Sequence, residues 1–244
     1  MNNTRQYDIQ VADNHYEKKS YLSISRWSTY SLVIEETLRL NPKKILEIGP
    51  GPGLVSSALK RIGFSVATLD IDPNTKPDYR MSTTDIKENR DLLGTFDLII
   101  ASEVFEHIRY EDFVDTLKTL REISKNLIIT LPDTNQNSLF FAFRLRLPIF
   151  NSVIGKLKVR FKKIKHRFDG QHYWEIGKKS FPLRRILDDM KRCGWMIQSA
   201  GFINQSVGCT IPYLVANLVI IPHACKEDVP TRKLNGCLSI KIEN

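Results

Sequence analysis

The run Ile45-Leu46-Glu47-Ile48-Gly49-Pro50-Gly51-Pro52-Gly53 decides the fold. It closes an apolar stretch of strand length and opens a segment whose apolar residues return at helical spacing. Glycine lets the backbone approach a ligand closely, and the first amides of the following helix have no partner within it. Gly49, Gly51 and Gly53 alternate, whereas a dinucleotide fingerprint needs two residues before its third glycine. Glu47, just before the turn, would repel a pyrophosphate and attract an ammonium group. A ligand that joins a cationic amino-acid end to a nucleoside fits this turn better than NAD does.

Outward from the turn, strand-length runs at 44–48, 65–69, 96–101 and 126–131 alternate with helical segments at 55–62, 84–93 and 111–123. Phe113, Leu117 and Leu120 make one helical stripe. Strands buried on both faces and separated by helices pair in parallel through right-handed crossovers. A helix is expected at 180–193, with Ser180 as its N-cap and Gly194 as its stop, then strands at 196–203 and 213–221. No helix separates those two strands, so the last one is antiparallel. The expected fold is a doubly wound α/β domain over residues 41–222, with a helical cover at 1–40 and a polar tail at 223–244.

Asp70 stands at the tip of the second strand, where a carboxylate can accept both hydroxyls of a ribose. Asp85 has two readings, a helix N-cap or a neighbour of an adenine amino group. Taken together, Glu47-x-Gly49-x-Gly51-x-Gly53, Asp70, Asp85 and the stretch from Phe96 through Ser102-Glu103-Val104-Phe105-Glu106-His107 resemble class I S-adenosylmethionine-dependent methyltransferases. The likeness runs in order over about residues 44–132. It implies a Rossmann-like, mostly parallel seven-stranded sheet with an antiparallel last strand, and S-adenosylmethionine as cofactor. By position it implies that the Gly49–Gly53 turn faces the amino-acid part of the cofactor and that Asp70 binds the ribose. Asp85 and the Ile86 backbone would border adenine, and Ser102 and Glu103 would lie beside the sulfonium.

An alcohol acceptor benefits from a general base near neutral pH, which points to histidine. His107 resembles a histidine common in this superfamily; it is read either as a base or as an imidazole that orders the cofactor pocket. His172 lies in His172-Tyr173-Trp174-Glu175-Ile176-Gly177, which resembles a stretch in a branch of the family that methylates small molecules and glycans. There His172 is expected as base or substrate anchor, with Tyr173 and Trp174 walling the acceptor pocket. A structural loop anchored by Trp174 and Glu175 is the competing reading.

The net charge of +9 is local. Residues 138–168 hold nine basic side chains and no acidic one, and without them 27 basic and 27 acidic residues cancel. Residues 137–172 are therefore read as a basic, apolar insertion or lid. Leu157, Phe161, Ile164 and Phe168 suggest a basic amphipathic helix able to rest on an anionic membrane. The competing reading packs that stripe on the domain. Nucleic acid is a less favoured partner, because no RNA-binding module is recognisable and Ser102-Glu103-Val104-Phe105 replaces the Asn/Asp-Pro-Pro-aromatic motif of many base-amino methyltransferases. The polar N-terminus, the absence of a C-x-x-C pair among four cysteines and the interruption of 139–157 by Arg144, Arg146 and Pro148 point to a cytoplasmic enzyme. That enzyme would be peripheral on the inner face of the membrane at most, with no metal. The expected activity is O-methylation of a small molecule or glycan, lipid-linked or phosphorylated in its most specific form. The alternatives are an RNA methyltransferase and a non-catalytic nucleotide-binding or membrane-adaptor domain.

Overall fold

A computed structural model describes residues 7–133, 138–147, 150–160, 165–202 and 216–223. Its helices and strands in chain order begin with α1 (Ile24–Leu40), β1 (Lys44–Ile48), α2 (Leu54–Arg61), β2 (Ser65–Asp70), β3 (Tyr79–Arg80), α3 (Arg90–Leu93) and β4 (Phe96–Ser102). They continue with α4 (Tyr110–Ile123), β5 (Ser124–Asp133), β6 (Ser138–Leu147), β7 (Phe150–Arg160), α5 (Leu183–Arg192), β8 (Met196–Phe202) and β9 (Ala216–His223). One sheet takes the order β3-β2-β1-β4-β5-β9-β8. The first five of these strands pair in parallel, and β9 is antiparallel to both β5 and β8. This is the doubly wound methyltransferase-type sheet with a reversed last strand.

Side-chain alternation sorts the strands onto two cores, because successive residues of a strand point to opposite faces. Leu46, Ile48, Leu69, Ile99, Leu127 and Ile129 join a core with Phe113, Leu117 and Leu120 of α4 and Ile186 and Met190 of α5. Ile45, Val66, Leu98, Ile100 and Ile128 face the other way, onto Val33 of α1 and Val55 and Leu59 of α2. Both faces are therefore covered, and ligand access is left to the strand ends.

Three expectations are corrected. The helix expected from Ser180 begins at Leu183, with Pro182 in the N-cap position, because proline disfavours the helical conformation of the residue before it. The segment 84–93 is a 3₁₀ turn at Thr83–Asp85 and the short α3 rather than one helix. Ser82 and Asp85 close a capping box there, so Ser82, not Asp85, is the N-cap. The described part of the insertion is not helical: β6 and β7 form a separate antiparallel two-stranded sheet. The strict alternation Lys156-Leu157-Lys158-Val159-Arg160-Phe161 has the period of a strand, and it outweighs the weaker four-residue spacing of Leu157 and Phe161. Residues 203–215, 224–244 and 161–164, including the expected C-terminal tail and the later part of the supposed helix, lie outside the described residues.

Candidate active site

The turn after β1 is built from left-handed backbone. Gly49, Gly51 and Gly53 have φ of 65, 51 and 70°. A side chain is excluded at Gly49 on two counts, since a Cβ there would also lie 2.5 Å from Val104 Cγ2. The Gly49 amide donates to Leu69 O at 2.9 Å, which carries the β1–β2 ladder into the turn. Gly53 then caps α2, turning that helix's first amides towards the same end of the sheet.

Around this turn lies a cavity of about 560 Å³. Glu47, Gly49, Gly51, Asp70, Ser102, Glu103, His107 and His172, all singled out by sequence, line it. Residues missed by sequence complete the wall: Tyr7, Gln10, Tyr16, Tyr21 and Arg26 from the N-terminal segment, and Thr83 and Glu106. Arg26 sits with its guanidinium 3.9 Å from the Tyr21 ring centroid. Glu103 has the left-handed φ of 54°, a strained conformation for a non-glycine residue at the tip of β4.

Buried polar atoms in folded proteins are nearly always hydrogen-bonded. Among the described residues, five buried side-chain atoms lack a partner within the protein. Four of them, Glu47 Oε2, Thr83 Oγ1, Ser102 Oγ and Glu106 Oε2, belong to residues of this one cavity wall. Burial pushes the Glu47 carboxyl up to about 7, against the opposing hydrogen bonds from Ser56. The Asp70 carboxyl is also raised, chiefly by burial, and accepts the Asp72 amide at 3.0 Å. A ligand with an ammonium group and vicinal hydroxyls would satisfy these groups. The residues present therefore fit a nucleoside that carries an amino-acid end.

At the other end of the cavity the two histidine motifs meet. The His107 and His172 rings stack edge to face with centroids 5.0 Å apart. The Tyr173 amide donates to Glu106 O at 2.8 Å, and Trp174 Nε1 to Ile108 O at 3.2 Å, binding the two loops together. His172 Nδ1 donates to Glu175 Oε1 at 3.1 Å, and its amide donates to Asp169 Oδ1 at 2.7 Å. Since the carboxylate can only accept, the shared proton resides on Nδ1, and Nε2 of a neutral His172 is left as the acceptor. Glu175 is buried and also meets Lys178 Nζ at 3.2 Å and His166 Nδ1 at 3.5 Å. Its hydrogen bond raises the His172 pKa, with Asp169 adding to the effect. Burial, and then the His172 charge, lowers His107 to about 4, so His107 is neutral at pH 7. The two imidazoles are thus set apart in proton affinity. Glu106, His107 and His172 each bring a ligand atom within 4.8 Å of the others, close enough to share a cation.

Other sequence-picked residues stand back from the cavity. Trp174 is 0% exposed in the core, packed on Tyr110, Phe113 and Phe181. Tyr173 is 38% exposed and stacks on Phe168. Neither is among the lining residues, so the structural-loop reading describes Trp174 better than that of a pocket wall. Trp174→Ala should therefore lower stability by about 3–5 kcal/mol, read as a drop in the thermal midpoint. Asp85 accepts the Tyr7 hydroxyl at 2.8 Å, while Ile86 is fully buried in the core. Neither is among the residues that line the cavity, whereas Ser82 and Thr83 are.

Sheet order, glycine turn and strand-tip carboxylate together define the class of α/β proteins that bind a nucleoside with an amino-acid end at the carboxyl ends of parallel strands. A family model described as a methyltransferase domain matches residues 25–200. The chain belongs to that methyltransferase family, whose cofactor is S-adenosylmethionine. A ubiquinone biosynthesis O-methyltransferase of Azotobacter vinelandii is 31% identical over 88 residues, 31% of this chain and 38% of that protein. The mitochondrial one of Bos taurus is 30% identical over 167 residues, 61% of this chain and 41% of that protein. The chain thus spans about two-fifths of the length of these relatives. In fold it resembles the Burkholderia thailandensis 1,6-didemethyltoxoflavin-N1-methyltransferase, with a TM-score of 0.55 at 11% identity over 88% of this chain and 84% of that one. It also resembles the magnesium protoporphyrin IX methyltransferase of Synechocystis PCC 6803 with bound SAM, with a TM-score of 0.52 at 15% identity over 90% and 87% of the two chains.

Proposed function

We propose that the protein transfers a methyl group from S-adenosylmethionine to a hydroxyl of a small molecule or glycan. The observation that carries this reading is the group of partnerless buried polar atoms on the cavity wall, with the Glu175-oriented His172 beside it. The cofactor supplies an electrophilic methyl group on a sulfonium. Glu47 accepts its ammonium, Asp70 its ribose hydroxyls, and Arg26 is the cation available for its carboxylate. His172 accepts the acceptor's hydroxyl proton at Nε2 while Glu175 holds Nδ1. The likeness to ubiquinone O-methyltransferases supports an oxygen acceptor. The test is release of S-adenosylhomocysteine on incubation with catechol-type and saccharide acceptors. Release with either class supports the reading; turnover only on RNA or on amines would contradict it.

Glu47 also makes cofactor binding pH-dependent. With a carboxyl near 7 in the free protein, the ammonium-binding ionised form predominates above that pH and is lost below it. Affinity for S-adenosylhomocysteine should approach a tenfold fall per pH unit on acidification below 7. Glu47→Gln should flatten this dependence in calorimetric titrations between pH 5.5 and 7.5.

A further inference from the structure

The hairpin β6–β7 has no place in the methyltransferase sheet, and among the described residues its strands pair only with each other. Its register gives one wholly apolar face and one face that gathers the cations. In an antiparallel pair, opposed residues share a face and the next pair lies on the other one. Leu139–Val159, Phe141–Leu157 and Leu145–Val153 fall on one face. Phe143 joins them opposite Gly155, so no polar residue occupies a paired position of that face. The alternate pairs bring Arg144, Lys156, Lys158 and Arg160 to the opposite face, each paired with Ile154, Ala142, Phe140 or Ser138, so all the cations of the paired positions gather on that side. No acidic residue occurs anywhere in 138–168.

A lone two-stranded hairpin is marginal in water, so this one needs a surface to lie on. We propose that the hairpin docks on an anionic bilayer, with its Leu139–Phe141–Phe143–Leu145 face down and its Lys/Arg face at the level of the lipid phosphates.

The dimensions agree. An amphipathic element buries its apolar side about 5–10 Å into the headgroup boundary, which brings the opposite face of a thin hairpin among the headgroups. The free strand edges limit the depth, because unpaired backbone amides are tolerated where water reaches and not in the hydrocarbon core. The absence of acidic residues over the whole segment commits the partner to negative charge, whereas a second copy of this chain would bring the same cations and be repelled. β6 follows β5, whose Pro132 lines the cavity, and β7 precedes the loop that carries His172. Docking would therefore bring the cavity mouth near the membrane surface.

Co-sedimentation of the full chain with phosphatidylcholine vesicles, with and without phosphatidylglycerol, tests the proposal. Expected is pelleting with the anionic vesicles alone, weakening as salt shortens the Debye length from about 10 to about 3 Å. The triple variant Lys156→Gln, Lys158→Gln, Arg160→Gln should partition about a hundredfold more weakly, near fivefold per charge. Phe141→Ser should weaken binding without removing its salt dependence. Binding of S-adenosylhomocysteine by each variant verifies folding. Absence of pelleting, equal pelleting with neutral vesicles, or a dimer broken by Phe141→Ser in a protein that ignores vesicles would each overturn it.

Discussion

Replacing His172 by alanine should lower turnover by about 10²–10⁴-fold, the usual contribution of a positioned general base, while leaving affinity for S-adenosylhomocysteine unchanged. The neighbouring imidazole is a poor substitute. His107, 5.0 Å away between ring centroids, is held near a pKa of 4 by burial and is a much weaker base at pH 7. Nδ1 of His107 faces Gln10 Oε1 at 3.0 Å, and Gln10 Nε2 donates to His107 O at 3.3 Å, so that ring is tied into the N-terminal segment. His107→Ala should accordingly disturb the pocket and raise the apparent KM more than it lowers kcat. Glu175→Gln should fall between wild type and His172→Ala, because the amide keeps the contact with Nδ1 but loses the charge. Steady-state kinetics on an accepted substrate gives all three values. A His172→Ala variant with wild-type turnover would leave the loop at 169–177 a structural element only.

Replacing Gly49 by alanine should weaken cofactor binding by about a hundredfold or more. A left-handed conformation costs an alanine about 1–2 kcal/mol. The added Cβ would also lie 2.5 Å from Val104 Cγ2, so the turn and the segment after β4 must move apart. Both border the cavity, and displacements of about 1 Å can cost 10²-fold in a positioned site. Gly63→Ala is the control: its φ is 101°, but nothing lies within 4 Å of the new Cβ, and it is not among the cavity's lining residues. That variant should lose stability and keep cofactor affinity. Equal loss of affinity in both would mean that backbone strain, not the position of the turn, is responsible.

The parts of the site that could be read from sequence are those written in consecutive residues. The strand–turn–helix at 45–53 and the acid at the tip of β2 declare themselves because alternation, glycine and strand ends are local signals. The parallel pairing of β1, β2, β4 and β5 followed from the same rhythm, whereas the two-residue β3 gave no such signal. Less was legible where the chain returns from a distance. Gln10 reaches His107 across 97 positions, and Tyr7 reaches Asp85 across 78, with no pattern to announce either contact. Glu106 was visible only as part of the run ending in His107. Its significance comes from complete burial, which holds its carboxyl well above the usual range, and this depends on tertiary packing. Trp174 misled because an aromatic beside a candidate base reads equally well as a pocket wall or a core anchor, and burial alone separates the two. The hairpin misled because Leu157 and Phe161 satisfy helical spacing while their neighbours satisfy strand alternation.

The most direct test of the site is calorimetric titration of S-adenosylhomocysteine into the wild-type, Asp70→Ala and His172→Ala proteins at pH 7.5. Loss of a carboxylate that accepts ligand hydroxyls typically costs about 1.5–3 kcal/mol per charged hydrogen bond, so Asp70→Ala should bind at least tenfold, and with both hydroxyls lost about a hundredfold, more weakly. His172→Ala should bind as the wild type does. A wild-type protein that binds no S-adenosylhomocysteine, or an Asp70→Ala variant that binds it undiminished, would contradict the assignment of this cavity.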